Sequence, residues 1–280
     1  MRKLAIGIAA SGALALTGLV APVASAATTV PDLTFTDVIV NKGKAIVVGT
    51  TATVKVPVSY TLTRASDVTI DNKTAVAGVM IYRGRLATLQ NTVEPDSAPV
   101  CTTTATTATT VTEACTETLA VAPEDSLFEA ADATTWRAAG FYSQIDQDRD
   151  DSDGHISFGY DYNVWGPLGS GIQVKRAARL TADASPEPVT KGRTITVTGK
   201  LTRADWATGK YSGYTSQKAT LQFRAKGSTG YTNVKTVTSG TGGALKTTTK
   251  AVKDGSYRYV FAGTATTGSA TATGDYVDVR

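Results

Sequence analysis

Stretches of alternating apolar and polar residues constrain the fold of this 280-residue chain more than any other feature. Residues 54–63 alternate strictly, and in the stretch 190–204 the apolar Ile195, Val197 and Leu201 share one parity. A period of two residues is typical of a β-strand with one buried face. At least five further candidate strands follow residue 204, separated by glycine-containing turns, at the spacing of a β-sandwich. The sequence therefore predicts an all-β protein.

Short sequence matches indicate two copies of one β unit. The segment 41–44 (Asn-Lys-Gly-Lys) resembles 190–193 (Thr-Lys-Gly-Arg), and Leu-Thr-Arg-Ala occurs at 62–65 and again at 201–204. The matches keep the same order along the chain, as tandem repeats do. We expect two tandem β-sandwich domains, an N-terminal one over residues 27–175 and a C-terminal one over residues 176–280.

The N-terminus predicts a cleaved secretory signal peptide over residues 1–26. Arg2 and Lys3 precede an apolar stretch at 4–20, and Ala-Ser-Ala at 24–26 is a small-x-small cleavage site. A membrane anchor is the weaker alternative because polar and glycine residues interrupt the stretch. No later apolar run approaches the ~20 residues that a membrane span needs. We expect a secreted, extracellular protein without a membrane span.

The two predicted domains carry opposite charge. Residues 27–175 contain 10 basic and 18 acidic residues, a net of −8, whereas residues 176–280 contain 16 basic and 6 acidic residues, a net of +10. The signs allow the domains to dock on each other, or to face different outside partners, or simply to be differently solvated. We expect anionic cell-wall polymers or a secreted protein as partners. Nucleic acid is not expected, because the basic residues are spread along strands.

Three local patterns predict details of the N-terminal domain. Cys101 and Cys115 are the two cysteines, and in a secreted chain they predict a disulfide that closes a hairpin; a redox pair would need C-x-x-C. Pro57 lacks an N–H, which predicts an edge strand or a bulge. The capping-box pattern at 126–129 predicts one short helix over about 126–133.

An acidic segment between two candidate strands is a candidate calcium site. Calcium takes six to eight oxygen ligands, which carboxylates on a turn can supply, but the spacing is not that of an EF-hand. A solvated acidic turn is therefore favoured, and any calcium site there should be weak. Apart from calcium, we expect no cofactor. The five candidate ligands are Asp146, Asp148, Asp150, Asp151 and Asp153.

The sequence predicts no enzyme. It contains one histidine, His155, and lacks the G-x-S-x-G, Walker and dinucleotide-binding motifs. Three classes remain: a non-catalytic envelope or matrix protein, a carbohydrate-binding module, and an inhibitor of a secreted hydrolase. A carbohydrate module would use an aromatic platform formed by Trp206, Tyr211 and Tyr214, although packing at a loop is the favoured explanation for these residues because aromatic side chains are more often buried. An inhibitor would use the disulfide-closed segment 101–115.

The last 105 residues or so also resemble the closing domain of secreted proteins that are common in actinomycetes. The resemblance implies immunoglobulin-like domains and an extracellular location, and some of these proteins are described as calcium-binding. Their function is unknown, so the resemblance implies no catalytic residue. It rests on the segments 179–188, 200–206, 213–214, 221–224, 234–237, 254–259 and 274–280.

Overall fold

The strands that the alternation predicts are present in the computed structural model, which describes residues 31–146 and 159–280. The predicted signal peptide lies outside the described residues. In the part that is described, no helix has the length and apolar character needed to cross a membrane. The chain from Pro31 to Arg280 forms one compact unit. Each sandwich has a main hydrophobic core, and Met80, Tyr82, Ala139 and Phe141 form a smaller buried cluster in the first.

The N-terminal sandwich is built from two sheets with the strand orders β1-β3-β7-β6 and β2-β9-β8-β4-β5. Short helical turns lie at Asn41–Gly43, at α1 (Pro123–Ser126) and at Ala130–Asp132. The strands are β1 (Leu33–Val40), β2 (Ile46–Val48), β3 (Val54–Ala65), β4 (Ala75–Arg85), β5 (Thr88–Val93), β6 (Val100–Thr106), β7 (Thr110–Val121), β8 (Thr135–Asp146) and β9 (Gly159–Arg176).

The C-terminal sandwich also has two sheets. In one, β12 pairs with β10, β11, β13 and β16; in the other, the order is β15-β14-β17-β18, and β19 also pairs with β17. A short turn of 3-10 helix lies at Thr241–Gly243. The strands are β10 (Ala178–Leu180), β11 (Asp183–Ser185), β12 (Thr194–Asp205), β13 (Lys210–Gly213), β14 (Lys218–Ala225), β15 (Thr232–Thr238), β16 (Ala244–Lys250), β17 (Gly255–Phe261), β18 (Ala270–Thr271) and β19 (Asp275–Val277).

These strand orders are those of immunoglobulin-like sandwiches, so the predicted fold class is confirmed. In the N-terminal sandwich, the order β1-β3-β7-β6 reproduces the A-B-E-D sheet of an immunoglobulin domain, and β9-β8-β4 reproduces its G-F-C sheet. The alternation predicted which faces are buried. Val56, Val58 and Leu62 of β3 are at most 2% exposed, and Ile195 and Leu201 of β12 are fully buried.

Only one of the two sequence matches joins equivalent positions. Leu-Thr-Arg-Ala ends β3 in the first sandwich and lies near the end of β12 in the second, where both strands are central. The Lys-Gly match does not correspond. In the first sandwich the Lys-Gly segment comes before β2, the strand that pairs parallel to the last strand, β9. In the second sandwich the Lys-Gly segment comes after the equivalent position, because Val189 makes the parallel bridge to Val279. Part of the apparent repeat therefore arises from two different turns.

The predictions for Pro57 and for the helix were wrong. β3 is a central strand without a bulge at Pro57, and its last pair with β1 is Val58 with Val40. Because β1 has ended at this level, Pro57 costs the sheet no hydrogen bond to β1. Ser126 ends α1, with Pro123 in its first turn, instead of starting a helix. The capping box forms three residues later, between Glu129 and Asp132.

The sequence also missed the short strands β10, β11 and β13. Pro186 and Pro188 lie inside the second sandwich, after β11. The end of the chain forms two separate short strands, β18 and β19. Two- and three-residue strands carry too little alternation to be recognised.

The predicted disulfide between Cys101 and Cys115 is confirmed. The two cysteines lie directly opposite each other on β6 and β7, so the bridge closes a hairpin, as expected. It lies within one sheet, whereas antibody domains connect their two sheets through the B and F strands. A disulfide of this kind is typical of proteins in oxidising compartments.

A buried glutamate connects the two sheets of the N-terminal sandwich. Glu117 of β7 is 7% exposed, and its Oε1 accepts a 2.8 Å hydrogen bond from the backbone N–H of Val79 in the facing sheet. The Tyr60 hydroxyl donates to its Oε2 at 3.5 Å. A Cβ at Gly78 would lie 2.8 Å from that oxygen, so the glycine makes room for the carboxylate. Burial raises the pKa of Glu117 from 4.5 to about 7.

This carboxylate predicts that the protein loses stability as the pH rises. The folded state favours the neutral acid, so its contribution is complete below pH 4.5 and is lost as the pH rises through about 7. We expect the free energy of unfolding to fall by about 3 kcal/mol over this window. Urea unfolding at several pH values measures the change. Glu117→Gln keeps a carbonyl for Val79 and should remove most of this decline; parallel pH profiles for the variant and the wild type would contradict the assignment.

Candidate functional site

The two sandwiches are joined by direct backbone hydrogen bonds. β9 ends at Arg176 and β10 begins at Ala178, so Ala177 alone separates the last strand of one sandwich from the first of the next. The Ala177 N–H donates to Val48 O in the first sandwich at 2.8 Å, and Ala177 O accepts from the Ala204 N–H in the second at 2.8 Å. The N–H of Ala177 is therefore bonded to the first sandwich and its carbonyl to the second.

Trp206, the centre of the predicted aromatic platform, fills this junction. It is 6% exposed and packs with the hydrophobic core of the first sandwich. Its indole N–H donates to Gly49 O at 2.9 Å across the junction. A sugar-binding platform needs an exposed aromatic face, which Trp206 does not offer.

The two tyrosines of the predicted platform are partly buried and covered by arginines. The Arg179 guanidinium lies 3.6 Å from the centroid of the Tyr211 ring, and that of Arg203 lies 4.2 Å from the Tyr214 ring. Arg176, itself 6% exposed, lies 5.5 Å from the Trp206 ring. Burial lowers the pKa of Arg176. Trp206 and Tyr211 thus pack with the core of the first sandwich, whereas Tyr214 packs with the core of the second.

Four of the five candidate calcium ligands lie outside the described residues. Asp146 is the last residue of β8, which pairs with β9 up to Gly159, and the segment therefore connects two adjacent antiparallel strands. The candidates Asp148, Asp150, Asp151 and Asp153, together with His155, lie outside the described residues. Among the side chains that the structure describes, no group of three acidic, histidine or cysteine residues could hold a metal ion. The calcium site remains a prediction.

The disulfide-closed segment 101–115 is a paired hairpin of the first sheet. Its tip is held by Ser66, whose N–H donates to Thr109 O at 2.9 Å and whose hydroxyl donates to Ala108 O at 3.2 Å. A protruding inhibitory loop would stand free of the sheet. The hydrogen bonds of this tip give no support to an inhibitor.

The C-terminal sandwich keeps most of its positive charge unpaired. All of its residues, 176–280, are described, and among them ion pairs join Lys226 to Asp254 at 3.3 Å and Arg280 to Asp278 at 3.0 Å. A third carboxylate, that of Asp275, accepts the Ala184 N–H at 2.7 Å. Six carboxylates cannot neutralise sixteen basic groups, so a positive surface faces solvent.

Two of these basic groups meet on one aromatic ring. The guanidinium carbons of Arg224 and Arg258 lie 4.9 Å and 3.6 Å from the centroid of the Tyr231 ring. We call these three residues the arginine–tyrosine cluster. They lie on β14, just before β15 and on β17, three adjacent strands of one sheet. Neither arginine forms an ion pair with a described carboxylate.

Sequence reasoning missed this cluster because nothing in local spacing connects its members. Arg224 and Arg258 are 34 positions apart in the sequence, and only the register between β14 and β17 makes them neighbours. In that register Gln222 pairs with Arg258, and Arg224 pairs with Ser256. The available signal was the alternation of Tyr257 and Tyr259 with Arg258. That pattern places Arg258 on the outer face of its sheet.

Comparisons with known proteins identify no family for this chain. The fold is that of tandem immunoglobulin-like sandwiches. No family model and no curated protein matches the chain. The fibronectin(III)-like modules of Clostridium thermocellum CbhA align at 14% identity with a TM-score of 0.27, covering 86% of this chain and 92% of that one. The full ectodomain of mouse nectin-like molecule 4 aligns at 14% identity with a TM-score of 0.21, covering 89% of this chain and 64% of that one. The chain thus spans less than two thirds of the nectin-like chain, and similarity at this level assigns no function.

Proposed function

We propose that this chain is a non-catalytic binding and structural module of the cell envelope or its extracellular matrix. The immunoglobulin-like sandwich is a scaffold common in cell-surface domains. The fixed residue Ala177 and the buried Trp206 join the two sandwiches without a flexible linker, which suits a rigid spacer. The Cys101–Cys115 disulfide supports a location outside the cytoplasm.

The C-terminal sandwich is the part proposed to contact anionic polymers of the envelope. One observation carries this proposal: the sandwich has sixteen basic groups and only six carboxylates. Three of these carboxylates, those of Asp254, Asp275 and Asp278, already have partners inside the sandwich. The remaining positive charge attracts polyanions, and salt screens this attraction.

Cosedimentation with envelope particles tests the proposal. The purified protein should sediment with particles that carry their anionic polymer, and not with particles from which this polymer has been chemically removed. Binding should be lost in about 1 M salt, where the Debye length falls to about 3 Å. Equal sedimentation with both kinds of particle, or no sedimentation at low salt, would contradict the proposal. Particles of a neutral glucan control for trapping.

A further inference from the structure

The arginine–tyrosine cluster has a built geometry. Arg258 Nε donates to Gln222 Oε1 at 3.0 Å, and Gln222 Nε2 donates to Asn233 Oδ1 at 2.9 Å, so three strands hold this guanidinium in place. A Cβ at residue 274 would lie 2.4 Å from the Tyr231 hydroxyl oxygen, so Gly274 leaves the space in which the tyrosine lies. The Arg258 hydrogen bond occupies Nε and leaves its terminal amino groups for a ligand.

The neighbouring carboxylates are already engaged. Asp254 Oδ1 accepts the Val279 N–H at 2.9 Å, and its Oδ2 faces Lys226. Asp275 accepts the Ala184 N–H. Arg224 and Arg258 therefore bring two positive charges to one ring without a described counter-charge, and a bound anion would relieve their mutual repulsion.

We propose that Arg224, Tyr231 and Arg258 bind a phosphate group of a phosphodiester-linked polymer. This inference rests on the proposed function and names the chemical class of its ligand. A carboxylate has two oxygens in one plane, which a single guanidinium satisfies with two parallel hydrogen bonds. A phosphodiester group has two charged non-ester oxygens on a tetrahedral phosphorus, and each oxygen can accept from a different guanidinium, so the group suits two arginines that approach from different strands. Further phosphate groups along the same polymer then contact the rest of the positive surface of the C-terminal sandwich.

Calorimetry on the whole protein tests the inference with three probes: poly(glycerol phosphate), polyglutamate of equal charge, and neutral dextran. We expect the phosphate polymer to bind most tightly and dextran not to bind. Arg224→Gln with Arg258→Gln should weaken phosphate-polymer binding by about tenfold or more, because two charge-assisted contacts are lost. Lys246→Gln with Lys250→Gln removes the same charge from exposed positions of β16 in the other sheet, and should weaken it by less than about threefold.

A charge-conserving pair, Arg224→Lys with Arg258→Lys, separates recognition from net charge. It should also weaken phosphate-polymer binding, because lysine lacks the planar fork. The inference would be overturned if Arg224→Gln with Arg258→Gln weakened phosphate-polymer binding no more than Lys246→Gln with Lys250→Gln did, or if polyglutamate bound as tightly as the phosphate polymer. Either result would leave the proposed function standing. If the wild-type protein bound neither polyanion, both would fall. Unfolding curves that match the wild type show that each variant is folded.

Discussion

Replacing Trp206 by alanine is expected to lower the free energy of unfolding by about 3–5 kcal/mol, the range for removing a buried aromatic side chain. Trp206 is 6% exposed and belongs to the second sandwich, yet it packs with the core of the first. The variant also loses the hydrogen bond to Gly49 O, which joins the sandwiches. We therefore expect the two sandwiches of the variant to unfold in separate transitions.

Chemical denaturation followed by circular dichroism, together with calorimetric unfolding, measures both effects. Val252→Ala is the control because Val252 is 52% exposed, and it should change stability by no more than about 0.5 kcal/mol. A Trp206→Ala variant that unfolded in one transition, at the wild-type denaturant concentration, would show that this tryptophan does not couple the sandwiches.

Asp132→Ala is expected to destabilise the first sandwich by about 3–5 kcal/mol, since it removes the buried partner of Arg83 and the carboxylate that accepts from two backbone N–H groups. The Asp132 side chain is 1% exposed, and its Oδ1 lies 2.9 Å from Arg83 Nε. Its Oδ2 accepts the backbone N–H groups of Phe128 and Glu129 at 2.8 and 3.0 Å. These bonds hold the turn that replaces the predicted helix.

The chain provides a matched control on the same arginine. Glu129 Oε1 lies 2.7 Å from Arg83 Nη2, but the Glu129 side chain is 58% exposed. Glu129→Ala should therefore cost less than about 1 kcal/mol. Urea unfolding of both variants tests the difference, and similar losses would show that burial does not decide the strength of these two ion pairs.

The sequence predicted the fold where a physical signal was local and strong. The alternation along β3 and β12 follows from one buried face per strand, and the buried residues confirm it. The sequence alone predicted the pairing of Cys101 with Cys115, because two cysteines in a secreted chain can form only one intramolecular disulfide. The order of strands within each sheet depends on long-range pairing, which no local pattern records.

The errors share a cause, since each weighed a local pattern without its tertiary context. The lack of an N–H at Pro57 predicts an edge strand. Pro57 nevertheless lies in the central strand β3, because the neighbouring strand β1 ends before it reaches the level of Pro57. Ser126 reads as a helix start, but Pro123 starts the helical turn earlier. On the sequence alone Trp206 could serve a ligand platform or pack at a loop, and the surface of the first sandwich that covers it was not visible. Aromatic residue types were visible in the sequence, and the surfaces that bury them were not.

Locating the bound polyanion on the protein tests the proposed binding site directly. Nuclear magnetic resonance can follow the Nε–H groups of Arg224 and Arg258 while poly(glycerol phosphate) is added to the labelled protein. We expect these two signals to shift first and to saturate together, while the Trp206 indole signal stays in place because that side chain is buried at the junction, away from the arginine–tyrosine cluster. Shifts spread equally over all exposed basic residues, or confined to the junction, would contradict the proposed site.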